Sequence, residues 1–263
     1  MPLDKPKTGQ AGTDQTENAP QASLRFCVFG DSHIACIKHA QDEGLLSLDG
    51  VVLEYWGAPG PQFRDLHLQD ARLVATTAAA QASLAKINPA RSTALAPQDY
   101  DGFLFIGCRL RSSDYLVPLL RSQPGSPGYL SAAVRGLMLD RWLESCRGYR
   151  AAREFAKARP VFFSPAGFLN EGTLSEEELA ETLDSEATPE ARAALWDEIA
   201  QAMAADGVHL LRQPEETITH GGLTRRDYAT SLGAEEDDRV HKNGAYGALI
   251  LHHALSQLPL VPS

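Results

Sequence analysis

The chain has 263 residues, 43% of them hydrophobic and 22% charged, with a formal net charge of −10. Such a chain can bury one large α/β core, and its acidic balance argues against nucleic acid or an anionic membrane as a main partner. It has no run of about 18 apolar residues and no apolar core of signal-peptide type at its start, so the expected location is cytoplasmic, away from membranes.

In chain order, residues 1–22 are rich in Pro, Gly, Thr, Gln and Asp and lack apolar periodicity, which predicts a disordered lead-in to one domain over 23–263. Leu24–Phe29 is an apolar run that stops at Gly30-Asp31-Ser32-His33 and reads as a buried strand. A helix follows over about Ile34–Glu43, with Gly44 as its stop, and then a second strand over Val51–Trp56, ended by Gly57-Ala-Pro-Gly60. Residues 66–90 are ambiguous: a short strand over Arg72–Thr76, then an alanine-rich helix over Thr77–Ile87 before Pro89. Tyr100–Gly107 is a third buried strand, again stopping at glycine. Residues 111–122 suit a helix, Gln123–Gly128 a loop, and Tyr129–Lys157 one or two amphipathic helices. A fourth strand covers Pro160–Ser164, a helix Pro189–Ala205 behind Thr188, a fifth strand Val208–Leu211, and a last helix about Ala245–Gln257. Strands alternating with helices predict a three-layer α/β/α sandwich around an approximately five-stranded parallel sheet.

In such sheets chemistry collects beyond the carboxyl ends of the strands, where Ser32 would stand. A serine hydroxyl needs a base, a group to orient that base, and donors for an oxyanion. Asp238-Arg-Val-His241, ahead of the last helix, can supply the first two: Asp238 accepting from Nδ1 of His241, and Nε2 facing Ser32. The plainer reading of Ser32 is a helix cap, and of Asp238 the end of a solvated acidic run, Glu235-Glu236-Asp237-Asp238.

These strings in this order resemble the SGNH (GDSL-type) hydrolase family, which opens on a strand ending in Gly-Asp-Ser and closes on Asp-x-x-His. The resemblance spans about residues 24–257 and implies a flavodoxin-like fold. It also implies a serine esterase with Ser32 as nucleophile, His241 as base and Asp238 as its orienter. Gly30-Asp31-Ser32-His33 is similar to the variant in members acting on acetylated carbohydrates, so the implied substrate is a small acyl ester, such as an O-acetyl carbohydrate. An acyltransferase with the same triad, or a non-catalytic member binding a glycan or acyl ligand, are the alternatives. Gly60 matches the family's second block, so its N–H and that of Ser32 are the implied oxyanion donors. The third block departs from the family's Gly-x-Asn-Asp: here it reads Gly107-Cys108-Arg109-Leu110, with no asparagine nearby. Arg109 either replaces the missing amide as a charged donor or pairs with an acid such as Asp114.

Several residues compete for roles. Asp206-Gly-Val-His209 repeats the Asp-x-x-His spacing but leads into a strand, which places it at the sheet's amino edge. His220-Gly-Gly222 is read as a flexible loop, since the Gly-x-Ser-x-Gly elbow of α/β-hydrolases is missing around Ser32. His33 either contacts substrate or caps the first helix. Trp56, with Tyr55 and Phe63, either forms a stacking wall for substrate or packs in the core. His252 and His253 lack carboxylates at ligand spacing, and neither a metal nor a cofactor is expected. Cys27, Cys36, Cys108 and Cys146 lack metal-site spacing and are expected as reduced thiols.

Overall fold

The structure is a computed structural model and describes residues 23–91, 93–122, 128–171, 175, 177, 187–230 and 238–258. The expected tail, 1–22, residues 123–127 of the Pro/Gly loop, and 231–237 of the acidic run lie outside the described residues. Five strands form one sheet: β1 (Leu24–Gly30), β2 (Val51–Gly57), β6 (Gly102–Arg111), β7 (Val161–Ala166) and β8 (Val208–Leu210). Its order is β2-β1-β6-β7-β8, and every pairing is parallel. Counting only these strands, that is the doubly wound order 2-1-3-4-5.

Successive residues of a strand point to opposite faces, and the core follows that alternation. Phe26, Val28, Leu104, Ile106 and Phe162 meet Cys36 and Ile37 of α1 (Ile34–Asp42) and Tyr246, Ile250 and Leu251 of the last helix. Cys27, Phe29, Phe103, Phe105, Val161 and Phe163 pack on the other face with Tyr149, Ala152 and Phe155 of α5 (Arg147–Ala156). The second face also takes in Leu195, Trp196 and Ile199 of α6 (Pro189–Ala205). The last helix, here α7, is Gly244–Ser256. The protein is therefore a three-layer α/β/α sandwich, as the strand–helix alternation predicts. The remaining helices are α2 (Ala78–Ile87), α3 (Ser112–Leu120) and α4 (Ala132–Ser145).

Thr188 stands before α6 as the sequence puts it, and Asn243, which the sequence reading did not single out as a cap, opens α7. Thr188 accepts from the Ala191 N–H at 3.2 Å with Pro189 in the first turn of α6, and Asn243 accepts from the Tyr246 N–H at 3.2 Å at the start of α7. Two segments differ from the sequence reading. In the ambiguous stretch the expected strand forms as β4 (Arg72–Ala75) and the expected alanine-rich helix as α2, but two further strands, β3 (Leu66–Gln69) and β5 (Ala94–Leu95), pair with β4 in a small antiparallel sheet. The two turn residues between β3 and β4, Asp70 and Ala71, both have positive φ, +48° and +59°. Such turns are normally announced by Asn-Gly or Asp-Gly, and alanine in the second place hides the signal. The third strand also outruns its expected stop at Gly107: the backbone bulges and pairs again at Arg111 with Ala166.

At their carboxyl ends β2, β1 and β6 crowd together. A Cβ on Gly57 would lie 1.9 Å from the Gly30 carbonyl oxygen, and one on Gly30 would lie 2.3 Å from that of Ile106. Only hydrogen at these positions lets the three strands deliver their following loops to one place. All four cysteines are buried thiols. Among the described residues no helix is long and apolar enough to cross a membrane.

Candidate active site

Ser32 lies in the turn between β1 and α1 and does not cap the helix. The Ile34 and Ala35 N–H groups donate to the carbonyls of Asp31 and Ser32, each at 3.2 Å. Its hydroxyl instead donates to Nε2 of His241 at 2.6 Å, across 209 positions of sequence. The other ring nitrogen, Nδ1, sits 2.9 Å from both carboxylate oxygens of Asp238. A carboxylate only accepts, so Nδ1 carries the proton and Nε2 offers its lone pair to Ser32. Ser32, His241 and Asp238 are thus brought into one chain of hydrogen bonds.

Asp238 is fixed by more than the imidazole. Its Oδ1 accepts from the N–H groups of Val240 and His241 at 3.2 and 3.1 Å, and its Oδ2 accepts from the Thr230 hydroxyl at 3.2 Å. Burial works to raise the Asp238 carboxyl, but those backbone donors and the charge and hydrogen bond of His241 outweigh it and hold it below the usual carboxylate range. Asp31, beside Ser32, is 5% exposed. Its Oδ1 takes the N–H of His33 at 3.1 Å and Nδ1 of His33 at 2.7 Å, and its Oδ2 takes the N–H of Arg109 at 2.9 Å. Burial opposes its ionisation too, and the His33 ring with the two backbone donors reverses that.

The bond from Arg109 to Asp31 explains the bulge of β6. Gly107, Cys108 and Arg109 have φ values of +70°, +53° and +59°, three left-handed residues in a row. That conformation is uncommon outside glycine and costs roughly 1–2 kcal/mol at each of the other two. Gly107 itself must be glycine for a second reason: a Cβ there would lie 2.6 Å from Oδ1 of Asp31 and 2.7 Å from the His33 ring. The turn swings the Arg109 N–H back to Asp31, while its guanidinium donates to the Gly60 carbonyl.

Residues absent from the sequence reading hold the 238–242 segment. Asn170, fully buried, donates through Nδ2 to the carbonyls of Asp238 and His241, both at 3.0 Å, and its N–H donates to the carbonyl of Arg239 at 2.9 Å. Lys242, 3% exposed, donates to Oδ1 of Asn170 at 2.6 Å and to the carbonyls of Phe168 and Val240 at 2.7 and 3.0 Å. Asn170 follows the fourth strand at the carboxyl edge of the sheet, the edge that singled out Ser32. That placement was the available signal.

Burial pulls the Lys242 ammonium down to about 7, with the charge of Asp238 working against it. Its folded value lies below the unfolded one of 10.5, so above pH 7 the unfolded chain binds more protons and stability rises with pH. Between pH 7 and 8.5, short of the range where buried thiols pull the other way, this contributes up to about 1.4 kcal/mol per pH unit. Urea unfolding of wild type and Lys242→Met at both pH values checks it: the rise belongs to the wild type, and an equal rise in the variant removes Lys242 as its source.

The other candidates separate cleanly. Trp56 is fully buried with its indole stacked on Phe29, ring centroids 5.8 Å apart. The stacking wall for substrate gives way to core packing, because β2 is covered on that face and the ring has no free side. Phe63 is buried in the same cluster, and the Tyr55 hydroxyl bonds Gln41 at 2.9 Å. His33 makes no side-chain cap; its ring is held by Asp31 and lies 5.4 Å from that of His241. Asp206 ends α6 and accepts from the Tyr149 hydroxyl at 2.7 Å, and His209 lies on β8 against Phe162. Both are far from Ser32 along the strand direction, at the amino edge. His220, with φ of +45°, lies 3.7 Å from a carboxylate oxygen of Glu171.

Two cavities meet at Ser32, His33 and His241. One, of about 260 Å³, is walled mainly by Ala35, Cys36, Ile106, Pro165, Ala166 and Tyr246, with Thr230, Asp238 and Lys242 also on its lining. The other, of about 380 Å³, is lined by Asp31, Gly60, Arg109, Arg111, Asp114 and Val240. A hydroxyl, a neutral imidazole and an ionised carboxylate in this order can generate an alkoxide-like nucleophile at neutral pH, and the paired cavities leave room for the two halves of an ester.

No protein-family model matches the chain, and no curated protein matches it. Solved structures similar to it include the periplasmic domain of a Salmonella ser. Paratyphi A lipopolysaccharide acetyltransferase. That domain is 10% identical with a TM-score of 0.41, over 90% of this chain and 85% of that one. A gut microbial diltiazem-metabolizing enzyme is 8% identical with a TM-score of 0.38, over 90% of this chain and 47% of that one. Likeness at that level carries no functional argument.

Proposed function

We propose that the protein is a serine esterase of SGNH type that cleaves a small acyl ester through an acyl-enzyme. The observation that carries this reading is the continuous hydrogen-bonded relay from Ser32 through His241 to Asp238, at 2.6 and 2.9 Å, built from opposite ends of the chain. In the proposed reaction Oγ of Ser32 attacks the carbonyl carbon while Nε2 of His241 takes the hydroxyl proton. The tetrahedral oxyanion is received by the N–H groups of Ser32 and Gly60. Collapse breaks the bond to the alcohol oxygen, which leaves with the proton from His241. Water then attacks the acyl-serine, giving its proton to His241, and the acid departs as Ser32 is reprotonated.

Arg109 is assigned as the third oxyanion donor, in place of the asparagine amide absent from this chain. Its guanidinium, held on the Gly60 carbonyl, lines the same cavity as Ser32. Arg109→Ala keeps the backbone N–H that Asp31 needs and removes only the side chain. A fall in kcat of about 10²–10³ on p-nitrophenyl acetate is expected, the loss typical of an oxyanion donor. A change within twofold assigns the oxyanion to the backbone alone.

The whole reading is tested by incubating the protein with a fluorophosphonate and weighing it intact. One adduct is expected, absent from Ser32→Ala. An unlabelled protein that also fails to turn over p-nitrophenyl acetate above the Ser32→Ala control is not an esterase.

A further inference from the structure

Resting on the esterase reading, we propose that the accepted ester joins a short apolar acyl group to an alcohol that itself carries a carboxylate or phosphate, and that this anion docks on Arg111. An ester has two halves, and two cavities diverge from Ser32 and His241. The one walled by Ala35, Cys36, Ile106 and Pro165 offers mainly apolar surface in about 260 Å³, which suits a short acyl chain; Lys242 and His39 also line it, but the Lys242 ammonium is already committed to Asn170 and the carbonyls of Phe168 and Val240. The alcohol half therefore takes the larger cavity, on the Gly60 side.

That cavity holds two guanidinium groups on its lining. Arg109 and Arg111 are exposed while Leu110 between them is 2% exposed, and both arginines line this one cavity. Arg109 is tethered to the Gly60 carbonyl, whereas the Arg111 guanidinium makes no hydrogen bond or ion pair with any described residue. Arg25, Arg135, Arg153, Arg192 and Arg212 each hold a carboxylate. Two acids also line the cavity. Asp31 is engaged by His33 and the Arg109 N–H, and Asp114 forms no ion pair with either arginine. The two arginines and two acids balance in formal charge, but the Arg111 guanidinium is the cation left uncommitted, and its fork of donors can grip two oxygens of a carboxylate or phosphate with parallel bonds.

The test compares three acetyl esters, each rate divided by that of its own alkaline hydrolysis: 4-acetoxybenzoate, 4-acetoxyphenyl phosphate and the neutral methyl 4-acetoxybenzoate. The wild type is expected to favour an anionic ester by about 10–100-fold in kcat/KM, the range of a charge-assisted hydrogen bond, with the advantage shrinking as salt rises. Which anion leads distinguishes carboxylate from phosphate. Arg111→Gln is expected to bring the ratio within about threefold of parity, and Arg111→Lys to keep part of it, because the charge stays while the second parallel bond is lost. A role in folding alone would lower all three rates together and leave the ratio intact, which overturns the proposal. Equal wild-type rates on all three esters overturn it too while leaving the esterase reading standing; no hydrolysis of any of them ends both.

Discussion

On the esterase proposal, replacing Ser32 or His241 by alanine is expected to lower kcat on p-nitrophenyl acetate by about 10⁶-fold, with the double variant losing no more than either single one. The two side chains act as one device: a hydroxyl without its base is not a nucleophile, and a base without the hydroxyl has nothing to activate. The 2.6 Å bond between them is the physical form of that dependence. What survives in each variant is the contribution of the oxyanion donors and of substrate positioning, about 10³–10⁴ over water. Thermal unfolding run in parallel guards the result, since Ser32 caps no helix and its loss leaves β1 and α1 intact. Losses that multiply in the double variant would mean that the two residues act in separate steps.

Asp238→Asn is expected to lower kcat by about 10⁴-fold with little change in KM. The carboxylate accepts from Nδ1 of His241, which leaves the lone pair on Nε2 for Ser32. An amide in its place can turn its NH₂ toward Nδ1. The ring proton then moves to Nε2, where it confronts the serine hydroxyl instead of accepting from it. The amide oxygen can still receive the Val240 and His241 N–H groups, so the loop keeps its course and the tautomer alone changes. The NMR shifts of the His241 ring nitrogens report the switch directly. An unchanged tautomer together with a large loss of kcat would assign Asp238 an electrostatic role only.

Much of this was legible in the sequence because the signals are local. The unbroken apolar run from Phe26 to Phe29, glycines at strand ends, and the short string Asp238 to His241 each lie within one window of the chain. What escaped is non-local or rests on backbone conformation. Asn170 and Lys242 have no motif; their work is to satisfy carbonyls that come together only on folding. The left-handed run from Gly107 to Arg109 contains a cysteine and an arginine, residue types that do not advertise positive φ. For Trp56 the sequence left two readings open, and the covering of β2 decided for the core.

The same run has a consequence for how this site can change. Asp31 takes its third hydrogen bond from the main chain of Arg109, so any residue that tolerates the turn supplies it equally. The support of Asp31 and the side chain presented to the cavity are thereby uncoupled at one position. A lineage or a laboratory library can exchange the side chain at 111 and leave the main-chain bond from 109 to Asp31 in place. The turn makes this stretch of β6 the natural dial of the pocket.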